Sequence, residues 1–499
     1  LNNLDSNVGK SLAEILAIRR EKLEKIRALG FQPFAYKFEC SHNSQAILAN
    51  YEALAEKVEV KVAGRLMSIR KMGRASFSHL QDEQGRIQVY FQENKIGAQA
   101  YQLFNLLDIG DIIGVRGKVF KTRTGEITIF AEELTLLAKN LRPLPIVKEK
   151  EGVVFDAFAD KEQRYRQRYL DLIVNPEVRE IFRTRSRIIH LTRQFLDERG
   201  FIEVETPVLQ PIYGGAFARP FKTHYNALDR DFYLRIADEL YLKRLIIGGF
   251  ERVYEIAKNF RNEGLDRTHN PEFTSLEFYQ AYTDYYDMMD LVEGYFRYVA
   301  QALQAEQITY NGQTIDWSKP FARRPMFELL REYVGVDVSQ LDADGLRQLC
   351  QEKQLEIKPG LTYGKLIETL FNNFVEEHLI QPTFVTDYPK AISPLAKSKR
   401  DGQAEIVERF ELYVVGREFV NAFSELNDPI DQRERLEAQM KLRDMGDEEA
   451  QTMDEDFVTA MEYGMPPTGG VGIGIDRVVM LFTGQDSIKD VILFPQLRT

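Results

Sequence analysis

Apolar positions follow two rhythms along this chain. From Ser11 to Leu29 they recur at helical spacing and stop at Gly30, a residue suited to end a helix. The polar face of that helix carries Arg19, Arg20, Lys22, Lys25 and Arg27. The period then shortens to two. Alternating runs at 58–69, 75–81, 86–92, 112–120 and 126–136 predict five strands, with a helical stretch near 98–107 between the third and fourth. Polar turns fall at 82–85 and 121–125. Five short strands with a helix after the third is the order of an OB barrel. That fold commonly binds single-stranded nucleic acid on one face, with aromatic side chains as stacking platforms.

The segment 140–152 is rich in Pro and charge and reads as a linker. Beyond it, 161–174 predicts a basic helix and 177–200 a long amphipathic one. Phe201–Thr206 alternates and stops at Pro207. Arg252–Phe260 and Glu272–Ala281 predict two strands joined by a polar loop. From 231 onward strands and helices mix without a regular βαβ rhythm, which favours an α+β domain on a largely antiparallel sheet. Residues from about 320 to 382 read as a helical insertion. The expected organisation is a helical segment at 1–50, the barrel at 51–145, a linker at 146–160 and the α+β domain at 161–499.

Composition narrows the setting. A chain of 499 residues has room for two or three domains. No run of about 18 apolar residues occurs, so no membrane span is expected, and the opening LNNLDSNVGK has no apolar signal core. Cys40 and Cys350 are the two cysteines, too few and too far apart for a disulfide framework or a zinc site. They point to a reducing, cytoplasmic setting. Net charge is −11, yet residues 1–147 carry 21 Lys and Arg against 16 Asp and Glu. A basic front on an acidic body suggests RNA contact by the front domain. A solvated helix face explains the same excess, and charge alone does not choose.

The chemistry gathers in the second half. Alternation along 272–281 puts Phe273, Ser275, Glu277 and Tyr279 on one face and Thr274, Leu276 and Phe278 on the other. Arg261 stands where the preceding strand meets its loop, and a guanidinium there can fork onto a phosphate. A surface ion pair with Glu263 is the plainer reading. His269 in the same loop can reach a distal phosphate, although a loop histidine is more often plain surface. In Gly469–Thr483 (GGVGIGIDRVVMLFT) Asp476 is expected to cap a helix whose first turn carries Arg477, an anion site. The chain lacks GxxxxGK[ST], so no P-loop is present. Glu408–Pro429 reads as two strands with a bend near Gly416–Arg417. Glu411 and Glu418 on its two arms can share a Mg²⁺ with ATP phosphates. Asn421, Phe423 and Glu425 share a face, and a buried carboxylate there needs a partner such as a ligand ammonium. A solvated edge is the alternative for each glutamate. Glu239 in Arg235–Arg244, and Gly214–Gly215, complete the set. Together these features imply ATP used to activate a small charged substrate.

These motifs resemble class II lysyl-tRNA synthetases over essentially the whole chain. GFIEVETPVL resembles the end of motif 1, FRNEG…THNPEFTSLEFY motif 2, and GIGIDRVVMLFT motif 3. NAFSELNDP, GGAFARPF and RIADELYLKR resemble the lysine-specific elements. The resemblance implies an OB-fold barrel followed by a class II aminoacyl-tRNA synthetase catalytic domain on an antiparallel sheet. It implies lysine, ATP, Mg²⁺ and tRNA(Lys) as ligands, and a homodimer built on motif 1. Arg261 would clamp the α-phosphate, with Arg477 and His269 on the distal phosphates. Phe273 would stack on adenine, with Glu263 and Asn270 near the nucleotide. Glu411 and Glu418 would hold the metal. Gly215, Glu239, Glu277, Tyr279, Asn421, Phe423 and Glu425 would form the lysine pocket. Phe77, Gln88 and Glu133 would read the anticodon; barrel core is the plain reading of Phe77. Phe217 stands where relatives have a small residue, and Thr268 where many have arginine. The absence of a long Lys-rich N-terminal extension matches the bacterial type. Two other readings are a protein lysyltransferase, which the barrel speaks against, and an inactive RNA-binding regulator. The latter predicts loss of Arg261, Arg477 or the Glu411–Glu418 pair, and all are present.

Overall fold

The computed structural model describes residues 10–145, 148–150, 153–155, 158–358, 360–403, 405–444 and 450–498. Part of the expected linker, at 146–147, 151–152 and 156–157, and residues 1–9 of the expected helical segment lie outside the described residues. The chain forms two compact units, Leu1–Ala159 and Asp160–Thr499.

The first unit is a closed barrel. Its strands are β1 (Glu59–Met72), β2 (Ala75–Gln81), β3 (Arg86–Gln92), β4 (Ile112–Lys121) and β5 (Ile127–Ala138), in the order β1-β2-β3-β5-β4. All neighbours are antiparallel except β3 and β5, whose parallel pairing completes the circle. Val60, Val62, Leu66, Val89, Phe91, Val115 and Ile129 fill the interior. The helix Ala98–Leu106 follows the third strand as expected, and Phe104 meets Phe91 with ring centroids 4.6 Å apart.

The opening helix, Leu12–Ala28, starts on a capping box in which Ser11 and Glu14 satisfy each other's backbone amides. Its basic face is not uniformly exposed. Arg19 is buried and donates to the Asn140 side chain and to the carbonyls of Ile109 and Arg142. Lys22 reaches Asp108 at 2.5 Å. The reason is local: polar groups left open at the strand ends need donors, and these two side chains are long enough to supply them. Lys139, with no solvent exposure, completes the cluster between Asp108 (2.6 Å) and Asp111 (2.9 Å).

The second unit is built on an eight-stranded sheet. Its strands are β6 (Ile202–Glu203), β7 (Arg252–Phe260), β8 (Glu272–Ala281), β9 (Ala322–Pro325), β10 (Thr383–Pro389), β11 (Ile406–Val414), β12 (Arg417–Ser424) and β13 (Thr468–Gly474). The order is β9-β10-β11-β12-β13-β8-β7-β6. Six central strands are antiparallel and each edge strand is parallel to its neighbour. One face packs on the helices Glu177–Asp197, Tyr285–Ala302 and Ile475–Thr483 through Ile188, Phe195, Met289, Phe296, Val471 and Val479. Between β9 and β10 the helices Met326–Val334, Ala343–Glu352 and Tyr363–Phe374 form a second core.

Three predicted elements differ. The strand expected at Phe201–Thr206 pairs only over Ile202–Glu203. Beyond it the Thr206 amide turns to the Glu255 carboxylate (3.1 Å) and leaves the ladder. The helix expected at 161–174 breaks at Gln167 into Lys161–Arg166 and Arg168–Val174. The long helix ends at Asp197 rather than 200, where the chain turns at Gly200 (φ +77°). Among the described residues no helix is long and apolar enough to cross a membrane.

Removing one partner from a buried ion pair strands the other's charge. Lys139→Met is therefore expected to destabilise the barrel by about 3–5 kcal/mol, measured as a lower urea midpoint at pH 7.

Candidate active site and nucleic-acid face

A cavity of about 530 Å³ opens on the other face of the sheet. Strand register makes its floor. Glu277, Gly472 and Asn421 form one row across β8, β13 and β12, and Tyr279, Gly470 and Phe423 form the next. The middle strand offers no side chain, so the floor stays open between two decorated strands. A Cβ on Gly470 would collide with Glu425 Oε1 and lie 2.5 Å from the Tyr279 ring, so glycine is required there. On β8 Phe273, Ser275, Glu277 and Tyr279 line the cavity and Leu276 and Phe278 lie in the core, as alternation predicts; Thr274, expected on the far face, also reaches the lining near Asp476.

One end of the cavity is acidic. Glu239 is the first residue of the helix Glu239–Ile247 and lies beside Gly215, whose φ of +86° suits glycine. Glu277 accepts from the Tyr279 hydroxyl at 3.0 Å. Glu425 is buried just beyond β12, and neither carboxylate oxygen has a directed hydrogen bond among the described residues. Sequence reasoning missed Lys243, which lies behind this end with no solvent exposure and ion-pairs with Glu239 (2.5 Å) and Glu425. Its spacing of four from Glu239 was the available signal. Burial pushes the Glu277 and Glu425 carboxyls well above the ordinary range. Burial likewise raises Asp238 to about 6, against a hydrogen bond from Asn259 (3.0 Å).

The other end is cationic. Arg261 lies over the Phe273 ring, 5.1 Å from its centroid, and its Nε donates weakly to the Ile236 carbonyl (3.4 Å). The alternative of an ion pair with Glu263 is not how it is held; Glu263 lines the cavity from the loop. Arg477 donates to the Glu418 carbonyl (2.7 Å) and carboxylate (3.3 Å), and its Nη2 lies 3.4 Å from His269 Nε2. His269 is oriented through Nδ1 by Asp266 at 2.8 Å. Asn270 is buried and donates to the Glu272 carbonyl. Phe217 lines the lip with Lys365 Nζ 5.9 Å from its ring, and Thr268 lines the loop side.

Two expectations at this end change. Asp476 is not the cap. Gly474 takes that position, and Asp476 sits in the first turn, accepting from the Thr274 amide (2.6 Å) and pairing with Arg185 (2.5 Å). Glu411 does not line the cavity, whereas Glu418 does. A register shift between Leu412 and Tyr413 sets Glu411 opposite Asn421 and Glu418 opposite Tyr413. Glu411 accepts from the Tyr388 and Tyr413 hydroxyls, both at 2.8 Å, and pairs with Arg409 at 2.5 Å. Arg409, also unforeseen, donates to Asn421 Oδ1 as well and so ties the two strands (2.9 Å).

Glu418 is pushed up by burial and by the Glu411 charge. Two repelling carboxylates beside phosphate-competent arginines fit a divalent cation. Among the described residues no cage of three or more His, Cys, Asp or Glu exists. Any cation would therefore draw its remaining ligands from a substrate or water, as Mg²⁺ commonly does. A second cavity of about 320 Å³ shares His269, Glu418 and Arg477 with the first and adds Arg417, Asn372 and Glu376.

The barrel carries its own face. Arg70, Phe77, Tyr90, Phe130 and Lys118 lie in register across β1, β2, β3, β5 and β4. Phe77 is half-buried and outside the core; its ring is 4.7 Å from Tyr90, which is 5.5 Å from Phe130. Arg70 lies 5.4 Å over Phe77. Partly exposed rings between cations are the kind of surface on which unpaired bases can stack. Gln88 lies two residues before Tyr90, buried, bonded to Glu126 and Thr128 at 2.7 and 2.8 Å. Glu133 is exposed and paired with Arg116.

The family described as tRNA synthetases class II (D, K and N) matches residues 160–498. The chain belongs to that family. The barrel matches the OB-fold nucleic acid binding domain over residues 60–137. Among relatives of this synthetase, the lysine–tRNA ligase of Moorella thermoacetica is 55% identical over 97% of this chain and 98% of its own. That of Carboxydothermus hydrogenoformans is 54% identical, over 98% of this chain and 99% of its own. That of Shouchella clausii is 51% identical over 98% of each.

Burial, then the charges of Glu411 and Glu418, push the Glu376 carboxyl of this synthetase up to about 7. A carboxyl that holds its proton more tightly when folded costs stability as pH rises from the ordinary carboxylate value toward 7. Glu376→Gln is thus expected to raise the melting temperature at pH 8 and leave it nearly unchanged at pH 4.5, read by thermal melts at the two pH values.

Proposed function

We propose that this synthetase joins L-lysine to tRNA(Lys) in two steps through a lysyl-adenylate. The observation that carries the reading is one cavity with opposite ends: Glu239, Glu277 and Glu425 at one, Arg261 and Arg477 at the other. An amino acid with a cationic side chain fits the first end, and its carboxylate then lies toward the phosphates of ATP. Gly215, Tyr279, Asn421 and Phe423 complete the amino-acid pocket.

Lysine's carboxylate is ionised at pH 7 and needs no general base. It attacks the α-phosphorus, the bond to pyrophosphate breaks, and the anhydride forms. Arg261 holds the α-phosphate and the attacking carboxylate together, which is chiefly a positioning effect. Arg477 and His269 receive the charge that develops on the leaving pyrophosphate. Phe273 offers a ring for adenine, with Glu263 and Asn270 at the nucleotide's edge. Glu418, with the remaining acceptor position of Glu411, would hold Mg²⁺, which when bound neutralises phosphate charge. In the second step a ribose hydroxyl at the tRNA end attacks the carbonyl of the mixed anhydride and AMP leaves. On the barrel, Phe77 stacks on an anticodon base beside Gln88 and Glu133.

Selectivity follows from stranded charge. One buried cation, Lys243, cannot balance Glu239, Glu277 and Glu425 together, so a neutral side chain would leave carboxylate charge uncompensated and is rejected strongly. Exposed Ile202, Val208, Leu209 and Ile212 near motif 1 support a homodimer built there. The same reading makes the enzyme cytoplasmic. A protein lysyltransferase would have no use for the barrel's aromatic row, and an inactive regulator would have no use for Arg261 and Arg477 in one cavity.

ATP–pyrophosphate exchange across the amino acids tests this directly: lysine alone is expected to drive exchange, and exchange driven by another amino acid instead would overturn it. Glu425→Gln is expected to raise KM for lysine at least about tenfold, roughly 1.4 kcal/mol, with KM for ATP unchanged. Phe77→Ala is expected to lower tRNA charging by about tenfold or more, the scale of one base stack, and to leave exchange intact.

A further inference from the structure

Lys243 has no place in the two-step chemistry, yet it is the most completely buried cation beside the cavity. Its side chain has no solvent exposure, and its Nζ bridges Glu239 on its own helix and Glu425 beyond β12. The rings of Phe423 and Phe457 lie 5.4 and 6.0 Å from Nζ and exclude water around it. Phe457 belongs to the neighbouring helix Glu455–Glu462. An ammonium in such surroundings is costly to bury unless paired, and here it is paired twice.

We propose that Lys243 is the positioning residue of the amino-acid pocket: an internal cation that ties Glu239 and Glu425 together from behind and holds both aimed at the substrate's side-chain amine. The inference rests on the lysine-pocket reading above.

The electrostatics agree with the geometry. Burial raises both glutamates, and for each the pull back down comes first from Lys243. Lys243 itself is held above the usual lysine value because the two carboxylates outweigh its burial. Three further groups act on these glutamates: Arg409 on Glu239, and Glu277 and Tyr279 from β8. Behind them Asp238 couples to Glu277. Without Lys243 two buried carboxylates would face each other, and one would keep a proton to a higher pH. Substrate lysine would then have to displace that proton before its ammonium could be paired.

The test is the pH profile of kcat/KM for lysine in exchange, between pH 6 and 9, for wild type, Lys243→Met and Lys243→Arg. The acidic midpoint is expected to move up by at least about one pH unit in Lys243→Met, the usual effect of losing a close opposite charge. KM for ATP should stay within about twofold, and Lys243→Arg should keep the wild-type midpoint. A folded Lys243→Met protein with the wild-type midpoint overturns the inference. So does a parallel loss toward ATP and lysine with no pH shift, the mark of a purely structural lysine. If neither variant folds, ¹⁵N NMR of Nζ in wild type decides: an ammonium throughout pH 6–9 supports it, and deprotonation within that range overturns it. Glu425→Gln is run alongside. Should that variant also leave KM for lysine unchanged, the pocket reading itself has failed rather than the role of Lys243 alone.

Discussion

The second unit depends on keeping opposite charges apart inside one cavity. Arg261 and Arg477 would neutralise Glu277 and Glu425 if the side chains could meet, and the site would close on itself. Three devices prevent this. The glycine strand β13 separates the two decorated strands and offers nothing to bridge them. Lys243 engages the acids from behind, and Glu418 engages Arg477 from the side. Arg409 fixes Asn421 and Glu411 between the two clusters. The large apolar core on the opposite face of the sheet supplies the rigidity that holds these groups in place.

Much of this was legible in the residues, and the parts that were not share a cause. Alternation in β8 gave the right face for Phe273, Glu277 and Tyr279 because a strand's side chains have only two directions. The positions of the barrel's strands followed from the same rule. Helices have more directions, and there the reading slipped. Arg19 looked exposed because its helix is basic, but open carbonyls at the barrel's end drew it inward. Lys243 drew no reading at all, because nothing in the residues told which side of its helix is buried. Asp476 resembled a cap in sequence, yet the cap fell two residues earlier and its carboxylate was taken by Arg185 and the Thr274 amide. Glu411 was grouped with Glu418 as the carboxylates of two facing arms, and a register shift sets them opposite different partners, with Glu418 alone lining the cavity. Glu376 carried no local signal, since only the folded insertion brings it to the second cavity.

The insertion is therefore part of the site's wall. Its helix Tyr363–Phe374 supplies Lys365 above Phe217, and the turn that follows supplies Glu376 beside Glu418 and Arg477. Phe217 meets that helix at the lip through Lys365.

The aromatic row on the barrel has a consequence of another kind. Phe77 and Tyr90 come from one hairpin, but Phe130 joins them only through the parallel seam between β3 and β5. The surface therefore comes into being at ring closure, and an open or half-folded form presents two aromatics instead of three. Any polynucleotide gripped by all three acts as a clasp on that seam, so the barrel's resistance to opening rises with the concentration of its own ligand.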